Sequence, residues 1–291
     1  MRILVTGANG MLGTDLCCLL EQSGHEVIRS SQREHAESDV TLDILDFSAT
    51  RATLQQCKPD MLIHTAAYTH VDGCERDPDR AFQINALGTW HVAAACAEQD
   101  IPIVYISTDF VFDGRKTTPY TEFDPPNPIN HYGASKLAGE QAVQKLCRRH
   151  YIVRTQWLFG VHGKNFPGTI LELAQKRNEL PVVVDQRGSP TSTLALSRAL
   201  IKLLDTPLYG TYHIACKGEC SWFEFAQKTL ELAGISHVTL HPIPAEQWPS
   251  PTHRPAYSVL RRYVLELQGR DDLPAWQEAL EEFIELLKAK K

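Results

Sequence analysis

Arg2-Ile3-Leu4-Val5-Thr6-Gly7-Ala8-Asn9-Gly10-Met11-Leu12-Gly13 is the stretch that decides how this chain folds. A short apolar, β-branched run is followed by three glycines spaced three apart, then by Leu16, Leu19 and Leu20 at helical intervals up to Gly24. That order reads as strand, glycine turn and helix. Glycines at this spacing let the backbone turn sharply and come close to an anion, while the start of the helix offers unpaired N–H groups and positive dipole potential. A dinucleotide pyrophosphate suits such a turn, so Gly7, Asn9, Gly10, Met11, Leu12 and Gly13 are expected to bind a cofactor.

Further apolar runs follow at Glu26 to Ile28, Met61 to His64, Ile103 to Ser107 and Ile152 to Val153, with helix-length segments between most of them, notably Asp79 to Glu98 and Tyr132 to Cys147. This alternation predicts an α/β fold, a Rossmann-like doubly wound parallel sheet with helices on both faces. Beyond about residue 155, Gly160, Gly163, Pro167, Gly168, Pro181, Gly188 and Pro190 loosen the pattern, and a smaller C-terminal α/β lobe for substrate is expected. Thr193 to Leu204 reads as a helix, and Tyr209 to Ile214 as a strand that returns to the sheet. The expected division is 1–155 and 193–215 for the dinucleotide-binding domain, with 156–192 and 216–291 for the substrate lobe. Ile243 to Pro255, rich in proline, reads as an irregular loop, and Pro274 to Lys290 as an amphipathic helix.

The 291 residues carry 43% hydrophobic and 22% charged side chains, an ordinary globular balance. A net charge of −6 argues against a nucleic-acid surface. No apolar stretch has the length of a membrane helix, and the chain opens directly into a strand pattern without a charged leader, so a cytoplasmic protein is expected. The eight cysteines lack the close-set framework of a secreted domain and read as free thiols. His213, Cys216 and Cys220 come nearest to a ligand cluster, but their spacing matches no zinc site, and no metal is predicted.

The end of the second strand bears on cofactor choice. NAD sites commonly place a carboxylate there for the ribose diol, and NADP sites an arginine. The residues present are Arg29, Ser30, Ser31, Gln32 and Arg33, with no carboxylate before Glu34. NADPH is therefore favoured, with NADH left open, and Arg29 is taken as the ligand. Asp43 and Ile44 could reach the adenine, although Asp43 could equally cap a helix.

Tyr132 and Lys136 stand four apart, so on a helix they share a face. An ammonium near a phenol favours phenolate and lowers its pKa from about 10 toward neutrality. Tyr132 is then a proton donor to a carbonyl oxygen as hydride arrives at carbon. Lys136 would also hold the nicotinamide ribose. Thr108, closing a central strand where such sheets carry their ligands, would hydrogen-bond the substrate oxygen.

These segments, together with Ala66-Ala67-Tyr68-Thr69-His70-Val71-Asp72, Asn85, Ser107-Thr108-Asp109-Phe110, Tyr132-Gly133-Ala134-Ser135-Lys136, Arg154-Thr155-Gln156-Trp157, Asn165-Phe166, Asp185 to Thr191, Gly210 to His213 and Arg254-Pro255, carry a resemblance. The chain resembles the extended short-chain dehydrogenase/reductases, and within them the dTDP-4-dehydrorhamnose reductase family, nearly end to end. The resemblance implies hydride transfer from NAD(P)H to C4 of dTDP-4-dehydro-L-rhamnose, a dTDP-4-keto-6-deoxy sugar, with Tyr132 as the acid. It implies that Ala66, Ala67 and Tyr68 line the cofactor cleft, that Thr69, Val71 and Asp72 edge the substrate site with Asp109 and Asn165, and that Asn85 lies beneath as a relay. Trp157 would pack against the sugar nucleotide, and Arg254 would meet its diphosphate.

Some positions depart from the family pattern. Gln156 stands where Ser is common and Arg261 where an acid is common. Asp15 and Thr193-Leu194 occupy positions where some relatives have glutamates that bind a dimer-bridging metal. Phe110 stands where a 4,6-dehydratase would have its glutamate base, which disfavours that class. Another nucleotide-sugar reductase or an epimerase stays open. So does a regulatory subunit resembling the NADP-binding beta subunit of methionine adenosyltransferase, although Thr108, Tyr132 and Lys136 lean against it. A homodimer is left open.

Overall fold

The computed structural model describes residues 1–290. β1 (Arg2–Thr6) lies inside a seven-stranded sheet and is buried after its first residue. Beside it run β2 (Glu26–Ser31), β3 (Val40–Thr41), β4 (Met61–His64), β5 (Ile103–Thr108) and β6 (His150–Thr155). From one edge the order is Gly210–His213, β6, β5, β4, β1, β2, β3, and every pairing is parallel. β4 and β5 are buried at every position, which explains why they read as continuous apolar runs rather than as alternation. The winding reverses between β1 and β4, leaving a crevice above their carboxyl ends.

Helices cover both faces. On one, Leu12, Leu16 and Leu20 of α1 (Met11–Gln22) pack with Leu196, Leu200 and Leu203 of the helix Thr193–Leu204. That helix and the strand Gly210–His213 come from late in the chain and complete the sheet layer. On the other face, α2 (Phe47–Cys57) is followed by the short α3 (Val71–Arg76) and α4 (Pro78–Phe82), then by α5 (Thr89–Glu98) and α6 (His131–Leu146). Leu54, Val92, Cys96 and Val143 bury this side.

The single helix expected over Asp79 to Glu98 is instead α4, a π-helical turn at Gln83–Gly88, and α5. The wide turn carries Asn85, which is fully buried and bonds the backbone of Tyr68 in both directions, accepting its N–H (2.7 Å) and donating to its carbonyl (3.0 Å). Its amide also donates to Ser135 Oγ on α6 at 3.0 Å. Such π turns cluster at functional sites because they re-aim one side chain without ending the helix.

The second lobe has its own core of Phe159, Phe225, Trp276, Leu280 and Phe283. Its parallel pair of strands, Glu179–Val183 and Thr239–Ile243, takes in the first residue of the segment expected as a loop. A 3-10 turn at Ala245–Gln247 follows, and the chain then runs without helix or strand to Pro255. His213 is buried with Nδ1 facing the carbonyls of Tyr120 and Arg261. No helix among the described residues is long and apolar enough to cross a membrane.

Candidate active site

A cleft of about 810 Å³ opens above the carboxyl ends of β1, β4 and β5. Its floor is the glycine turn, where Gly7 has φ +69° and a Cβ on Gly13 would lie 2.3 Å from the Gly7 carbonyl oxygen. Only glycine fits there, and Asn9, Gly10, Met11 and Leu12 complete that wall. Ala66, Ala67, Tyr68, Thr69 and Val71 line the wall that follows β4, and Asp43 and Ile44 the region beyond β3. Asp43 uses Oδ1 to accept the N–H of Leu45 (3.0 Å), so it also serves a local turn.

Arg29 is not in the cleft. Its guanidinium makes two hydrogen bonds to Glu21 of α1, at 2.6 and 2.8 Å, and it lines a separate small cavity. The cause is strand alternation: Ser30 and Gln32 meet the cleft, so Arg29, one residue before Ser30, is turned the other way, toward the α1 face. Arg33, two residues past β2, is exposed and makes no ion pair among the described residues.

Thr108 closes β5 and caps the turn Asp109–Val111, its hydroxyl accepting the Phe110 N–H (3.2 Å) and donating to Asp109 Oδ1 (3.0 Å). α6 starts under the cap of Asn130, whose Oδ1 accepts the Gly133 N–H at 2.8 Å. Gly133 lets the helix press against the Phe110 carbonyl, since a Cβ there would come within 2.0 Å of that oxygen. Tyr132 is thereby held edge-on to Phe110, centroids 5.5 Å apart. Lys136, one turn on, is buried, donates from Nζ to the Ile106 carbonyl (2.7 Å) and lies 4.2 Å over the Tyr105 ring.

The electrostatics differ from the expectation. The apolar surroundings of the half-buried phenol, followed by the charge of Asp109, push Tyr132 well above the ordinary tyrosine value, although the Thr108 hydroxyl works the other way. Burial lowers Lys136 to about 7, with Glu140 opposing. Loss of hydration therefore outweighs the ammonium's effect on the phenol, and the ammonium points at a carbonyl. Asp109, also buried, is raised to about 7 by the same cause, and its Oδ2 has no hydrogen-bond partner among the described residues.

Below Lys136 lies a buried ion pair. Glu140 accepts from Arg154 Nε (2.9 Å) and Nη2 (2.7 Å) and from Ser107 Oγ (2.6 Å). His64, flanked by Thr6 and Thr89 hydroxyls, is lowered to about 3 by burial and by Lys136, and so is neutral.

Trp157 lines the second-lobe side with φ +46°, a left-handed backbone rare for a bulky residue. It stacks on Trp222 with centroids 3.5 Å apart and planes 8° from parallel, and its ring excludes any side chain at Gly188, where a Cβ would come within 2.5 Å. Trp222, Gln186 and Arg80 also line the cleft and went unrecognised in the sequence. Trp222 Nε1 donates to Gln186 Oε1 (3.2 Å), and the Arg80 guanidinium sits 4.9 Å over the Tyr68 ring. Nothing local separates such a tryptophan from a core residue, or such an arginine from a solvated helix charge.

Arg254 lines the cleft, held by Asp72 from behind at 2.7 Å. Asn165 is not part of the wall. It caps the helix Phe166–Ala174, accepting the Gly168 N–H at 2.9 Å, and donates to the carbonyls of Gly160 and Gly163. Asn85 likewise acts from beneath, through Tyr68.

A parallel doubly wound sheet, a glycine turn at its switch point and a helical Tyr-Lys pair facing the same crevice define an NAD(P)H-dependent oxidoreductase of the short-chain dehydrogenase/reductase class. Residues 1–289 match the family described as RmlD substrate binding domain. The chain belongs to that family, the dTDP-4-dehydrorhamnose reductases of the extended branch. It is 40% identical to the spore coat polysaccharide biosynthesis protein SpsK of Bacillus subtilis, over 98% of this chain and 97% of that one. It is similar to the crystal structure of a dTDP-4-dehydrorhamnose reductase from Clostridium acetobutylicum, with 45% identity, TM-score 0.94, and coverage of 99% and 100%. The Bacillus anthracis dTDP-4-dehydrorhamnose reductase, solved in complex with NADP, gives 42% identity, TM-score 0.92, and coverage of 97% and 98%.

Proposed function

We propose that this protein reduces the C4 ketone of dTDP-4-dehydro-L-rhamnose to dTDP-L-rhamnose with NADPH, Tyr132 donating the proton. The observation that carries the reading is that Thr108, Tyr132 and Lys136 meet in one cleft with the glycine turn. Reduction needs a phenol that still holds its proton, and burial keeps Tyr132 protonated. The glycine turn would hold the pyrophosphate, Lys136 the nicotinamide ribose and Thr108 the ketone oxygen, and NADPH, when bound, supplies the hydride. The second lobe, with Trp157, Trp222 and Arg254, would receive the sugar nucleotide.

Conversion of dTDP-glucose in a coupled assay, with and without this protein, tests the reading. One NADPH should be oxidised per dTDP-L-rhamnose formed, with C4 configuration read by NMR. An epimerase would recycle its hydride, so product without net NADPH oxidation overturns the proposal.

For the 2′-phosphate, the position of Arg33 supports it over Arg29, which Glu21 occupies. A lost charge-assisted phosphate contact is worth about 1.5 kcal/mol or more, so Arg33→Ala should raise KM for NADPH about tenfold and leave that for NADH unchanged. Arg29→Ala should leave both unchanged, and the two KM values measured for each variant check this.

The lowered Lys136 also fixes a pH response. Its ammonium exists below about 7 in the free enzyme and is lost as pH rises. The expected profile of kcat/KM for NADPH, which reports free-enzyme groups, is therefore a plateau at low pH that falls through about 7. A profile flat to pH about 9 would remove charged Lys136 from cofactor binding.

A further inference from the structure

The chain between Ser250 and Arg254 belongs to no helix or strand, yet it is fastened at two points, one on α3 and one at the start of α6. Asp72 Oδ1, in the first turn of α3, accepts from Ser250 Oγ (2.8 Å), Thr252 Oγ1 (2.9 Å) and Arg254 Nη2 (2.7 Å). Ser250 Oγ in turn accepts from Arg254 Nη1 (2.5 Å) and from the Thr252 N–H (3.2 Å). The second fastening is Asn130, the cap of the catalytic helix, whose Nδ2 donates to the His253 carbonyl at 2.9 Å. The segment thus lies as a strap across α3 and the start of α6, and Arg254 reaches the cleft from it.

We propose that Asp72 is a positioning residue for the substrate's diphosphate, pinning the strap and aiming Arg254 before any substrate arrives. This rests on the reading that a nucleotide-diphosphate sugar enters the cleft. A guanidinium has five N–H donors in a rigid fork. The strap engages one on each terminal nitrogen, which leaves Nε and the outer hydrogens free for phosphate oxygens. Without Asp72, Arg254 and the five-residue strap would have to be ordered at the moment of binding, and that ordering cost comes directly out of affinity. Asp72 itself stays ionised: burial works against its charge, but the hydroxyls of Ser250 and Thr252 and the charge of Arg254 hold its carboxyl below the usual range.

The sign of the effect separates positioning from simple electrostatics. Asp72 carries a negative charge beside the proposed place of a diphosphate, so charge alone predicts that Asp72→Asn binds the anion more tightly. Positioning predicts the reverse. Titrating the full-length protein with dTDP by calorimetry, the Kd should rise about tenfold in Asp72→Asn, as in Arg254→Ala, with the double variant no weaker than Arg254→Ala alone. KM for the keto sugar should rise in step, while kcat at saturation and the Kd for NADPH are retained, which also shows that the variant folds. The milder Ser250→Ala, which removes the hydroxyl shared by Asp72, Arg254 and the Thr252 N–H but keeps the direct Asp72–Arg254 bond, should raise the dTDP Kd about threefold. An unchanged or lower dTDP Kd in Asp72→Asn overturns the proposal. UDP is titrated alongside: equal binding of UDP and dTDP, with the same response to Asp72→Asn, supports the strap and removes the thymine preference. Wild-type protein that binds neither nucleotide overturns both readings.

Discussion

Replacing Tyr132 by Phe is expected to lower turnover of the keto sugar at least about a hundredfold, the scale of general acid catalysis, while leaving NADPH affinity unchanged. The variant keeps the ring that packs edge-on against Phe110 and removes only the hydroxyl. Cofactor contacts proposed for the glycine turn and Lys136 are untouched, so a fluorescence titration with NADPH should superimpose on wild type. The resting phenol lies well above the ordinary tyrosine value. The group is thus stored as the acid that reduction consumes, and its pKa must match the forming alkoxide only while hydride moves. Near-wild-type kcat in Tyr132→Phe would take the proton donor elsewhere, and Asp109, raised to about 7, would be the next group to test.

Glu140→Gln should destabilise the fold by about 3–5 kcal/mol, because it breaks a buried ion pair and strands the charge of its partner. Glu140 and Arg154 are 1% and 4% exposed, so water cannot replace the lost carboxylate. Arg154 Nη1 already has no hydrogen-bond partner among the described residues, and the guanidinium otherwise faces the Phe112 ring at 5.2 Å. A neutral amide could accept one of the two guanidinium bonds, but its NH₂ would oppose the other. The midpoint of urea unfolding at unchanged slope measures the loss. The exposed pair Arg198–Glu282 is the internal control, and Arg198→Ala there should cost no more than about 1 kcal/mol. Equal midpoints for the two variants would mean that the buried pair contributes no more than a surface one.

What could be read from residues alone was what short-range periodicity encodes. The glycine turn, the apolar runs of β4 and β5, the helix carrying Tyr132 and Lys136, and the strand at Gly210–His213 were all legible, because each depends on spacings of two to seven residues. Features set by contacts between separate elements were not. Glu21 claims Arg29 because α1 folds back over β2, and Asp72 claims Arg254 across 182 positions of sequence. The π turn at Gln83–Gly88 answers to the backbone of Tyr68, which no helical pattern registers. Asn165 looked like a site residue in its motif and is a helix cap. The Tyr132-Lys136 spacing encodes one helix face, but the direction of the Tyr132 shift is set by desolvation, which depends on the enclosing walls, and spacing carries no information about them.

The strand Gly210–His213 and the helix Thr193–Leu204 have a consequence for biogenesis. When the ribosome has delivered only β1 through β6, the leucines of α1 that will meet Leu196, Leu200 and Leu203 have no cover, and the outer rim of β6 has no neighbour to bond. The nascent chain must wait for roughly sixty more residues, several seconds at ordinary elongation rates, with a bare apolar surface and an open β margin. A need for co-translational protection of that half-finished sheet thus follows from the order in which this chain is made.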